Sequence, residues 1–227
     1  MSTTYSVAVT MDQNTLTTLK NNGFILYGFK GISTPNGSSA QPTVWFSTNQ
    51  YLTSTTISWT ENYKAYISSQ QIQANTTIDA SNNISADLGN LVTVDGNGML
   101  TVSTTGGTSG AVSVYDNSSN PYTTGLSQAA NGGPATPLCA LSLLGQTTDV
   151  IVPIEYVLLM FATQTVDTGT VLYNAYTQSI AVDLTGAPAN SRSVSYVVNQ
   201  GWQTDGATWA TVYAPNAALK PLLINPL

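Results

Sequence analysis

Along most of this chain polar and apolar residues alternate with the two-residue period of a half-buried strand. Tyr5-Ser6-Val7-Ala8-Val9 is the first such run. A helix is expected next, over about residues 12–22. Thr10 or Asp12 can cap it, Leu16 and Leu19 give it a short apolar stripe, and Gly23 can take the left-handed stop. Short aromatic or β-branched segments follow at 24–29, 43–46, 56–59 and 65–67, separated by Gly, Pro, Asn and Ser.

A hairpin is expected at 91–94 and 99–102 around Asp95-Gly96-Asn97-Gly98. Either glycine step can supply the positive φ of the turn, so its register stays open. Residues 111–115 read as another strand. Residues 116–137 read as a long loop of Asn, Ser, Pro and Gly, of the kind that is functional or mobile. Residues 150–153 lead into Tyr156-Val157-Leu158-Leu159-Met160-Phe161, a continuous apolar run that predicts a strand buried on both faces. Residues 179–184 and 193–198 alternate again. Trp202-Gln203-Thr204, Asp205-Gly206 and Ala207-Thr208-Trp209 predict a final hairpin, with Trp202 and Trp209 facing each other across it. The tail, residues 219–224, is apolar enough to dock on the body.

Many short strands with turn-rich joints predict an all-β fold: an antiparallel β-sandwich, Greek-key or jelly-roll-like, with one or two short helices, formed as a single domain over residues 1–227. No internal repeat and no linker interrupts it.

Composition narrows the function more than the fold. Only 7% of residues are charged, against about 25% in ordinary domains. Solubility therefore rests on Ser, Thr, Asn and Gln, an exterior suited to meeting sugars or further copies of the chain. The five cations (Lys20, Lys30, Lys64, Arg192 and Lys220) are scattered. No cluster exists to displace counterions from phosphate, so no nucleic-acid partner is expected. The chain has no histidine and one cysteine, Cys139. That removes imidazole-based nucleophile activation and thiolate metal clusters. Cys139 lies in an apolar stretch and is expected to be a buried, inert thiol. Met1-Ser2-Thr3-Thr4 shows neither a basic nor an apolar signal region, so synthesis in the cytosol is expected, with later release compatible.

Two carboxylates could in principle serve a glycosidase, and Glu61 and Glu155 are the two glutamates; their spacing in sequence gives that reading no support. Asp95-Gly96-Asn97-Gly98 resembles the start of a calcium loop but has no closing glutamate, so the turn reading is preferred. No catalytic residue, metal or cofactor is expected. Aromatic residues beside amides carry the binding expectation: sugar rings stack on an apolar platform while placed polar groups take the hydroxyls. The expected ligand residues are Trp202, Trp209, Gln203 and Asp205, and Trp59 with Tyr63. The expected function is non-enzymatic recognition of a cell surface, through glycan, in a lectin-like or toxin-like role and as a homo-oligomer. The alternatives are a β-pore-forming toxin, which would bring a membrane partner, and a self-assembling structural protein.

Overall fold

A computed structural model describes residues 3–226, which leaves Met1 and Ser2 of the N-terminal reading outside it. The strands are β1 (Thr4–Thr10), β2 (Ile25–Ser33), β3 (Gln41–Pro42), β4 (Phe46–Thr48), β5 (Ser54–Thr60), β6 (Tyr63–Ser68), β7 (Asn82–Ala86), β8 (Leu91–Val94) and β9 (Leu100–Ser103). They continue as β10 (Val112–Asp116), β11 (Tyr122–Ala129), β12 (Ala135–Pro137), β13 (Cys139–Leu143), β14 (Thr148–Ala162), β15 (Ser179–Asp183), β16 (Ser191–Val197), β17 (Gly201–Gln203) and β18 (Ala210–Tyr213). Helix α1 (Gln13–Asn21) follows β1, and α2 (Lys220–Leu223) closes the chain. The fold is all-β and sandwich-like, as the alternation predicts. Most pairings are antiparallel; β1 with β16 and β8 with β10 run parallel.

Three sheets result. The first has the order β17-β16-β1-β5. The second runs β18-β15-β14-β10-β8-β9, with β2 on the other side of β14 and β4 beside β2. The third runs β3-β13-β11-β6-β7, with β12 beside β11. The main core cluster takes Val7, Ile57 and Trp202 from the first sheet, Val157, Leu159 and Phe161 from the second, and Leu126, Cys139 and Leu141 from the third. Strand β14 is buried on both faces as expected. Its alternate residues Leu158, Met160 and Ala162 pack outward under Leu172, Ala175, Leu219 and Leu223, so the apolar tail docks where it covers them.

Local chemistry explains the elements. Asp12 caps α1 by accepting from the Thr15 N–H at 2.6 Å, and Gly23 has φ +69° just beyond the helix. In the β8–β9 hairpin Val94 pairs with Leu100, and the Asp95 N–H donates to the Met99 carbonyl at 3.0 Å. Gly98, at φ +76°, is therefore the left-handed residue of a three-residue loop, which settles the open register.

Two expectations are corrected. Residues 116–137 are not a long loop, because β11 and β12 lie within them. Polar side chains hid β11 in the sequence, yet most are buried and bonded. Thr123 and Thr124 donate to the Gln70 and Tyr66 carbonyls at 2.6 and 2.7 Å, and Gln128 donates to the Thr60 carbonyl at 2.7 Å. Gly125 is needed there, since a Cβ would come within 2.1 Å of the Cys139 carbonyl oxygen. The Trp202–Trp209 hairpin also fails. Asp205 and Gly206 do have φ of +51° and +78°, and the Ala207 N–H closes a turn on Thr204. The flanking strands nonetheless part: β17 pairs with β16 and β18 with β15, in different sheets.

Candidate functional site

The six expected ligand residues do not form an exposed platform. Trp202 is 3% exposed and stacks on Phe161 at 5.4 Å. Trp209 is half-buried, with the Arg192 guanidinium 4.8 Å over its ring. The Gln203 amide turns back to the Gly201 carbonyl of its own strand, and Asp205 sits in an exposed turn. Trp59, also 3% exposed, meets Trp45 edge-on and stacks on Tyr5; Tyr63 is buried. Burying a large aromatic face is worth more to the core than leaving it wet. The expected sugar platform is therefore absent at both tryptophan pairs.

Trp59 and Tyr63 instead belong to a buried charged cluster. On β2, Lys30 is in phase with Leu26 and Ile32, whose side chains join the main core, and it is 0% exposed. The β2–β14 register shifts between Pro153 and Val157, and this bulge brings Glu155 to the lysine. Lys30 Nζ donates to Glu155 Oε2 at 2.7 Å and to the Ile154 carbonyl at 2.9 Å, and lies 4.8 Å from the Trp59 ring. The Trp59 indole N–H donates to the same carboxylate oxygen at 3.0 Å. Desolvation holds the ammonium below its ordinary pKa, against the pull of Glu155 and Glu61. Burial pushes the Tyr63 hydroxyl far up, and both glutamates add to it. Glu61 and Glu155 thus converge on one region, but Glu155 is committed to Lys30 and Trp59, and Glu61 accepts from the Thr3 N–H at 3.3 Å. This arrangement braces the core; it does not present an acid and a nucleophile to a cleft.

A solvent-facing site lies at one end of the third sheet. β11, β6 and β7 are neighbours, and their register places Thr123 opposite Ser68 and Ile67 opposite Asn82. The β8–β9 turn leans on this end: the Asn82 amide donates to the Gly98 carbonyl at 2.9 Å. Between these elements lies a groove of about 260 Å³, lined by Ser68, Gln70, Asp79, Asn82, Asn97 and Tyr122 among others. Gly98 suits its wall through its φ of +76°, a conformation that disfavours side chains.

The polar groups of this groove are partly pre-set and partly free. Gln70 Oε1 accepts from the Ser68 hydroxyl and from the Asp79 N–H at 3.3 Å, which fixes the amide. Asp79 Oδ1 accepts from the Ser81 N–H at 2.8 Å, and that hydrogen bond with the Ser81 hydroxyl holds the carboxyl below its usual range. Asp79 is therefore an anion at neutral pH. The Gln70 NH₂, the Asn97 amide and the Tyr122 hydroxyl bond to none of the described residues. A half-exposed ring flanked by two amides and one carboxylate can stack a sugar and take its hydroxyls. Sequence reading missed this site because its parts come from four separate segments. The available signal was the Asn97-Gly98 turn and the placing of Tyr122 in the stretch read as a functional or mobile loop. Comparison with protein-family models, with curated proteins and with solved structures finds no match.

Proposed function

We propose that this protein is a non-enzymatic recognition module that binds carbohydrate at a cell surface, through the groove beside Tyr122. One observation carries the reading: an aromatic ring, the free NH₂ of Gln70, the side-chain amide of Asn97 and an ionised carboxylate converge in one solvent-facing groove. The polar, charge-poor exterior supports it, since hydroxyl- and amide-rich surfaces give up water to a sugar at lower cost than charged ones do. Lack of histidine and scattering of the cations weigh against hydrolysis by a triad and against nucleic acid.

The β8–β9 hairpin favours recognition over pore formation. Its strands are four residues long and β8 is tied to β10, whereas a barrel strand crosses a membrane with about 9–11 residues. A glycan array on the purified protein, read beside its solution mass, tests the proposal. Saturable binding to a defined sugar is the expected result. Silence on the array together with leakage of liposomes would overturn it in favour of a pore former, and silence with open-ended assembly in favour of a structural protein.

A further inference from the structure

Resting on that reading, we infer that the ligand is an uncharged glycan chain at least two sugar rings long, seated with one ring on each side of Tyr122. The first ground is shape. A second groove, of about 380 Å³, shares Ser69, Gln70 and Tyr122 with the first, so the two adjoin at the tyrosine. The first side is polar, with Asp79, Asn82 and Asn97. The second is mixed: Ile72, Pro121 and Leu144 lie beside Gln71, Thr123 and Ser142. Two grooves that adjoin at one ring, the second offering Ile72, Pro121 and Leu144 as a stacking face among polar groups, fit a chain better than a single sugar.

The second ground is charge. Asp79 is the one ionisable lining group apart from the Tyr122 phenol, and it is an anion. No lysine or arginine lines either side. Lys64 is the nearest cation along β6, four residues before Ser68, or about 13 Å at ~3.3 Å per residue. A sialylated or sulfated sugar would place its anion near Asp79 without a counter-charge, on a protein of net charge −6. A carboxylate accepting from two neighbouring hydroxyls suits a neutral ring instead.

The test is titration calorimetry with galactose and lactose, glucose and maltose, mannose and mannobiose, and N-acetylglucosamine and its dimer. Sialyllactose and sulfated lactose are run alongside, and melting curves confirm that each variant folds. In the preferred series the disaccharide is expected to bind at least tenfold more tightly than the monosaccharide. Ser142→Trp, at an exposed position that fills the second side, is expected to remove that gain. Acidic capping is expected to cost at least tenfold, and Asp79→Asn to recover part of that loss. No gain with length, a gain that survives Ser142→Trp, or acidic sugars bound as well as neutral ones would overturn the inference while leaving carbohydrate recognition standing. Binding of no sugar at all would overturn both.

Discussion

Phe161 is packed among three aromatic rings: Trp202 is stacked on it, and Tyr51 and Tyr196 meet it edge-on at 5.1 and 4.9 Å. Phe161→Ala is expected to cost about 3–5 kcal/mol, the usual loss for a buried aromatic, read as a lower midpoint in a urea melt. Trp202→Ala is expected to cost a similar amount and to leave sugar affinity of the folded fraction unchanged; loss of binding without loss of stability would return Trp202 to the site. Phe161 was legible in the sequence because a continuous apolar run has no polar face to offer water. Trp202 was not, because its neighbours are polar and only the pairing of β17 with β16 turns its ring inward. Asp149 shows what single residues cannot reveal in sequence. It is 2% exposed, with one carboxylate oxygen bonded to the Asn36 amide and the other without a partner among the described residues. Burial pushes its carboxyl up, against the Asn36 bond. The folded state then holds a proton more readily than the unfolded one, so this group adds stability as pH falls through its folded pKa. The gain levels off below the ordinary value of about 3.9. Asp149→Asn is expected to be the more stable protein at pH 7 and to lack that rise on acidification. Parallel pH–stability curves for wild type and variant would refute this.

At the scale of elements, the β2–β14 pair buries a cation that the sequence shows only as one of five scattered ones. The period that buries Leu26 and Ile32 also buries Lys30, and the bulge after Pro153 supplies its partner. Lys30 lies one residue beyond the segment read at 24–29, and the bulge was not legible, since nothing local distinguishes Ile154 and Glu155 from a regular strand. Glu155→Gln leaves the buried ammonium without its counter-charge and is expected to cost about 3–5 kcal/mol in a denaturant melt. The double change Lys30→Met with Glu155→Leu is expected to equal or exceed wild-type stability, because it removes two desolvated charges together. A double variant as unstable as the single one would mean that packing at the bulge, not charge, decides. Strand β11 marks the opposite failure. Thr, Gly, Ser and Gln signal a loop when their partners are unknown, yet here Thr123, Thr124 and Gln128 bond to neighbouring backbone and Gly125 allows close backbone approach.

For the molecule as a whole, fold class follows from the spacing of short apolar runs, and three sheets gather them on a shared core. The site follows from topology. Turns remote in sequence meet at one end of the third sheet, where β11, β6 and β7 finish together and the β8–β9 turn closes one wall. Composition pointed to the proposed kind of ligand, and pairing decides where the proposed site lies: at Tyr122, away from the tryptophans. Titration of the array-selected sugar into Tyr122→Ala, beside wild type at matched melting temperature, tests this most directly. Affinity is expected to fall at least tenfold, about 1.4 kcal/mol, with little change in stability, because the Tyr122 ring is half-exposed. Undiminished binding in the folded variant would contradict the placing of the site, and with it the reading of the groove.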